Sequence, residues 1–336
     1  MTTIIENERR SHFTAAIRKF TPHITGRILP ATFCLFLAGY FIILPKQASE
    51  SLLKGLVLWF NSVLPAQFAY SVICHILLNT DCRIALNRLF YPLSRLCRTP
   101  AHTSGYLACA FLCGAPVSVK NICEAHGEGR LTAEQAQRLL PFCSFISPAF
   151  LYTYVGCTLF SSPGAGGYFV FINILGALVT GLIMNRGSLG RENGVKGSVP
   201  EKMPAEKSGS FVSVFITSLS SAVQSSISIG AYIGFFSLVT GALGAAGFMA
   251  GNKYIACAIS LALEMTTGFE KSSSLGGGGA YIFTGAGIGF SGGCLIMQQT
   301  DHISKADLPL KRFFLGKLLQ TAVCAVLGWA GGVAVG

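Results

Sequence analysis

Charge is what this chain has least of. Only 12% of its 336 residues are Asp, Glu, Lys or Arg, and 14 are acidic against 25 basic. A soluble domain carries about 25% charged residues, so a water-facing surface over most of the chain is excluded. The acidic deficit leaves no carboxylate pair with hydrolytic spacing, and no His-Glu-x-x-His run offers a zinc protease site. An enzyme is therefore not expected. The twelve cysteines form no CxxC…CxxC pair, and their scatter gives no disulfide framework. The tightest group, Cys109, Cys113, Cys123 and His126, reads better as small residues packed between helices than as a metal site. No metal or cofactor is expected. Nor is a cleavable leader: the first 27 residues are polar and basic, and no small-residue cleavage site follows the apolar run at 29–44.

Apolar residues fill the chain instead. They make up 51% of it, with 39 glycines and a mean hydropathy of +0.56. That composition belongs to polytopic membrane proteins, in which glycine lets helices pack closely or break. The net charge of +11 sits in gaps between apolar runs: Arg9 to Arg27, Arg83 to Arg98, and Arg186 to Lys207. This is the positive-inside pattern of cytoplasmic segments, not a nucleic-acid surface. It places the N-terminus and loops 81–103 and 186–207 inside.

Spans are expected at 29–44, at 52–78 with a kink at Pro65, at 167–184, at 231–249 and at 313–333. Residues 211–230 recur apolar at i+4 (Phe211, Phe215, Leu219, Val223, Ile227), with Ser, Thr and Gln on the other faces. Such a helix lies at an interface or lines a wet cavity; periodicity does not choose between them. Thr132 is expected to cap a helix running through AEQAQRLL.

The remaining stretches are interrupted. The run from Ser104 breaks at Gly114-Ala115-Pro116, 141–160 breaks at Ser147-Pro148, and 257–312 holds short apolar pieces joined by four glycines. In hydrocarbon every N–H and C=O needs a partner, so unwound backbone survives only where protein or water covers it. Paired interruptions in two halves point to a transporter-type site. The expected organisation is a polar cytoplasmic N-terminus at 1–27, a first membrane repeat at 28–185, a cytoplasmic linker at 186–209 and a second repeat at 210–336. LTAEQAQRLLPF and ISKADLPLKRFF look alike and are candidate equivalents. An inverted second half is expected to put 300–312 outside, whereas Lys305, Lys311 and Arg312 pull inward.

Several stretches together resemble one family. GLVLWFNSVLPAQFAY (55–70), SGYLACAFLCGAPVSVK (104–120), LTAEQAQRLLPFCSFISPAFLYTYVG (131–156), LEMTTG (263–268) and GFSGGCLIMQQTDHISKADLPLKRFFLGKLL (289–319) are similar, in order and spacing, to the sporulation integral membrane proteins of the YlbJ type. These fall within the nucleoside-recognition, or gate, domain group. The resemblance implies an all-α polytopic fold of two repeats with interrupted, re-entrant helices, distantly like concentrative nucleoside transporters. It also implies a part in endospore formation, moving dipicolinate toward the forespore. Two departures stand out. The family's Gly-x-Pro-x-Gly-x-Lys pattern has Ser118 at its second glycine, and Ser144-Phe145-Ile146-Ser147-Pro148 replaces more amide-like residues. A different ligand preference is expected from the second.

The expected function is transport or facilitation of a small organic anion, dipicolinate first, in the cell membrane or the outer forespore membrane. A nucleoside-type transporter and a non-transporting scaffold are the alternatives. The site is expected at the broken segments: Gly114, Pro116, Ser118, Lys120 and Asn121; Ser144, Ser147 and Pro148; Glu264, Thr266, Thr267 and Lys271; Ser291 and Gln298. Lys120 and Lys271 would offset ligand charge, the hydroxyls would donate, Phe145 would wall the ring, and Glu264 would couple a proton or orient a partner. The bilayer and a coupling proton or sodium are the expected partners. Oligomeric state stays open.

Overall fold

The computed structural model describes residues 28–186 and 211–335. The expected N-terminal segment, 1–27, and the linker, 186–209, lie outside the described residues apart from Arg186. Two compact units are present, Met1–Ser51 and Leu52–Gly336. In the first, α1 (Ile28–Ile43) matches the apolar run at 29–44, and α2 (Pro45–Leu58) begins. The second holds both halves of the chain; they do not separate at the linker. Among the described residues every regular element is a helix.

The α2 helix passes through a π-helical turn, Trp59–Val63, into α3 (Leu64–Leu78). The kink expected at Pro65 is thus absorbed a turn earlier, since proline lacks an N–H and crowds the carbonyls before it. The segment expected as a basic loop is instead mostly α4 (Cys82–Leu96). Leu86, Phe90 and Leu93 recur at helical spacing and pack inward, while Arg88 and Arg95 stay exposed.

Two helices, α5 (Ser104–Cys113) and α6 (Val117–Gly127), form a hairpin. Tyr106 near its start lies within electrostatic reach of Glu128 and Arg130, just past its end. Each arm is about 15 Å long, half of a ~30 Å hydrocarbon core, so the hairpin enters and returns without crossing. Next comes α7 (Ala133–Cys143), opened by a capping box between Thr132 and Gln135. After unwound residues 144–147 the chain continues as α8 (Pro148–Phe150) and a π-helical stretch, Leu151–Leu159. Together these make one broken span, Ala133–Leu159, and α9 (Pro163–Met184) returns along it.

The second half repeats the plan. It opens on α10 (Phe211–Ala245), a single helix where the sequence suggests an amphipathic piece and a separate span. No proline interrupts 211–245, and its glycines, Gly230, Gly234, Gly241 and Gly244, are isolated single residues of the kind a helix tolerates. A second hairpin follows, α11 (Lys253–Leu263) and α12 (Met265–Ser274), in which the Cys257 thiol lies 3.9 Å from the carbonyl oxygen of Gly268. A second broken span, Gly277–Lys305, comprises α13 (Gly277–Phe290) and α14 (Gly292–Lys305). The last helix, α15 (Lys311–Val335), returns along it.

The register of these helices fixes their directions. The α9 helix runs antiparallel to the first broken span, pairing Gly166 with Gly156 and Asn185 with Arg138. Likewise α15 is antiparallel to the second, with Gly289 against Thr321 and Gly278 against Gly332. Finally, α9 and α15 are antiparallel to each other: Tyr168 donates to the carbonyl of Leu327, and Arg312 donates to Asn185 Oδ1 at 2.9 Å. The two broken spans therefore run in opposite directions. The repeats are inverted.

Residues 300–312 consequently lie at the end that carries Asn185, where Arg312 also meets the Met184 carbonyl and Arg98 meets that of Arg186. The sequence leaves the side of 300–312 open between the pull of inversion and that of the basic residues, and these contacts put it with the basic residues. Inversion turns the second broken span over, so the loop after it returns to the end where the first span began, and Lys305, Lys311 and Arg312 join the other basic residues. The two similar polar segments are not equivalents. One starts the first broken span, and the other joins the second to α15.

Candidate functional site

The two unwound regions are covered by protein. Four consecutive carbonyls of the first break each take a different donor. Ser118 Oγ on α6 donates to Cys143 at 2.7 Å, Lys317 Nζ on α15 to Ser144, the amide of Ala115 at the hairpin tip to Phe145 at 2.8 Å, and Asn173 Nδ2 on α9 to Ile146 at 2.8 Å. The hairpin tip can come this close because Gly114 adopts φ +65° and ψ −172°, which glycine alone takes readily, and carries no Cβ. Pro116 follows a cis peptide and opens α6.

The second half closes differently. Glu264, 1% exposed, caps α12: its carboxylate accepts from the amides of Thr266 at 3.0 Å and Thr267 at 2.9 Å, and from the Thr266 hydroxyl. Ser291, with φ +71°, forms the break between α13 and α14. Gly292 and Gly293 pack onto the backbone of residues 261–265.

A polar cavity of about 260 Å³ reaches the first hairpin tip. Pro116, Lys120 and Glu124 line it from α6, Gln224, Ser225 and Tyr232 from α10, and Gln298, Asp301 and His302 from α14. A larger cavity of about 1260 Å³ shares Lys120, Glu124 and Gln224 and continues past Asn79 and Asp81 to Glu128 and Phe211. Those residues flank the basic loops, so the polar path opens at the basic end. Lys120 holds its inner wall together, donating to Ser221 Oγ and Ser225 Oγ at 2.7 Å each, with Glu124 at 3.7 Å. Lys305 pairs with Asp301 at 2.7 Å. Cations and carboxylates are balanced along this wall.

Of the sequence-predicted residues, Pro116, Lys120 and Gln298 line the cavity. Gly114, Ser118, Ser144, Ser147 and Pro148 form the packed junction behind it, and Asn121 is buried with its Nδ2 unpartnered. Glu264, Thr266, Thr267 and Ser291 belong to the second junction, outside both cavities. Lys271 lies apart from both, its Nζ 3.5 Å from Met249 Sδ. Phe145 does not wall a ligand; it is fully buried against Phe111, with ring centroids 5.3 Å apart. The polar side of 211–230 lines the polar cavity, and its apolar residues Phe215 and Ile227 are exposed away from it.

Tyr232, Glu124, Asp301 and His302 were not singled out by sequence. Each was within reach of helical spacing: Tyr232 is one turn from Ser228, Glu124 one turn from Lys120, and Asp301 and His302 lie one turn from Gln298. Lys317 and Asn173 gave no such signal.

Five of the described helices are long and apolar enough to cross a membrane, or six if α1 and the bent run after it count as one span. The chain is an all-α polytopic membrane protein, with two inverted, broken repeats meeting beside a polar cavity. Its sequence is similar to the sporulation integral membrane protein YlbJ of Bacillus subtilis (strain 168). The two are 24% identical over 338 aligned positions, covering 89% of this chain and 81% of that protein. No protein-family model matches the chain, and no solved structure does.

Proposed function

We propose that the chain is a transporter or facilitator of a small organic anion acting in sporulation, with dipicolinate as first candidate. One observation supports this above others: a polar cavity runs from the basic end to the tip of a hairpin that stops at mid-membrane. A solute entering there meets Lys120, the hydroxyls of Ser225 and Ser228, and the amides of Gln224 and Gln298. Inverted repeats supply the means of exposing such a site to either side, because the two halves can rock against each other.

A second solute class has its own support. Glu124 and Asp301 offset Lys120 and Lys305, so the wall also suits an uncharged polar solute such as a nucleoside. Chemistry on the solute is not part of the proposal. Gly289-Phe290-Ser291-Gly292-Gly293 has the Gly-x-Ser-x-Gly spacing of a hydrolase nucleophile, yet Ser291 is fully buried and lines neither cavity.

Uptake of labelled dipicolinate into proteoliposomes is the test. Saturable uptake is expected, and Lys120→Met should lower it about tenfold or more, the loss of a charge-assisted contact. Uptake that uridine competes away would favour the nucleoside class. No uptake of either by folded, inserted protein would leave the scaffold.

The basic end is proposed to face the cytoplasm, with the N-terminus on the same side. Cys82 and Cys157 are exposed at opposite ends of the second unit, whereas Cys97 is buried and cannot report. In variants keeping one of the two exposed thiols, an impermeant maleimide added to intact cells should label Cys157 and spare Cys82. The reverse pattern would overturn the orientation.

A further inference from the structure

Lys317 lies in the first part of α15 and is 1% exposed. Among the described residues it forms no ion pair. Its ammonium donates instead to the carbonyl of Ser144 and, at 2.9 Å, to Ser291 Oγ. These two residues hold matching places, since Ser144 terminates α7 and Ser291 terminates α13. The first half of each broken span thus directs its negative end at the same ammonium.

Two further side chains flank this point. Asn173 holds the Ile146 carbonyl, two residues from Ser144, and Gln320 follows Lys317 by one helical turn and packs against Gly176 of α9. Both are fully buried, yet Asn173 Oδ1 and both polar atoms of Gln320 have no hydrogen-bond partner. The ammonium thus meets one carbonyl and one hydroxyl oxygen at two helix C-termini, with no paired carboxylate, while the buried amide oxygens of Asn173 and Gln320 stay unpartnered; oxygens of this kind suit a monovalent cation. Broken-helix transporters use unwound carbonyls and half-helix C-termini for this purpose.

We propose that Lys317 is a tethered cation: its ammonium fills a monovalent-cation site at the crossing of the two broken spans. A free sodium ion is then not needed at this position. Lys317 also ties the inverted halves to each other, because its two acceptors come one from each. As part of the transport mechanism proposed above, on which that role rests, it fixes the charge at the crossing without an ion having to bind and leave.

The test is thermal unfolding of the purified full chain in detergent, at matched ionic strength, in sodium, potassium, choline and n-propylammonium chlorides. The wild type should unfold at one temperature in all four. Lys317→Ala should unfold several degrees lower in choline, because it leaves buried acceptors unpaired. Sodium or n-propylammonium, which replaces the missing ammonium, should restore it saturably. Lys317→Gln keeps a donor without the charge and should stay below the wild type in choline. Lys317→Gln matching the wild type in every salt, or Lys317→Ala recovering in none, would overturn the assignment. No substrate is involved, so this result stands or falls separately from dipicolinate uptake.

Discussion

Gly114→Ala is expected to abolish uptake and to destabilise the protein by about 3 kcal/mol or more, while Gly129→Ala costs only about 1 kcal/mol. Both glycines have positive φ, +65° and +74°, and Gly114 combines it with ψ −172°, a region essentially reserved for glycine. They differ in what surrounds them. A Cβ at Gly114 would lie 2.4 Å from the amide nitrogen of Ser147, which is backbone and cannot swing aside, whereas one at Gly129 would meet nothing within 4 Å. A side chain is strained by positive φ at both positions, and at Gly114 alone the collision adds to it. Separation of the tip from the break would also unmake the bond from the Ala115 amide to Phe145. Thermal unfolding of the two variants side by side measures the difference. Equal shifts would mean that the tip does not depend on this contact.

Glu264→Ala is expected to destabilise by about 2–4 kcal/mol, because two buried amides and a hydroxyl lose their acceptor at once. Glu264→Gln keeps one acceptor oxygen, so it should cost about 1 kcal/mol and retain uptake with unchanged pH dependence. The distinction matters for interpreting any loss of transport. A carboxylate in a broken hairpin invites a coupling role, but this one is occupied in capping α12. Loss of activity in the alanine variant alone would therefore report an unravelled helix start. If the glutamine variant folds normally and its uptake no longer responds to pH, the carboxylate carries a proton after all.

How far the sequence reached can be judged from particular residues. The breaks at Gly114, Ser147, Glu264 and Gly292 were legible because glycine, proline and polar residues inside apolar runs are local signals. The Thr132 cap was legible for the same reason. Lys317 was not: it sits in an ordinary apolar span, and its acceptor at Ser144 is 173 positions away. Asn173 hides alike, in a run whose only other irregularities are glycines and a threonine. The direction of 300–312 depended on pairing α9 with α15, which only tertiary contacts supply. The α4 helix reads as a loop in sequence because its arginines mask the helical spacing of Leu86, Phe90 and Leu93.

Synthesis imposes an order on all this. The carbonyl of Ser144 enters the bilayer long before its donor exists, because α15 is the last of the described helices to emerge. Until then the first repeat carries an unpaired backbone group, and an unpaired group in hydrocarbon is costly. The nascent first half must shelter that segment in water, or in the insertion machinery, while some 170 further residues are made. This junction is therefore completed late, when α15 arrives with its lysine.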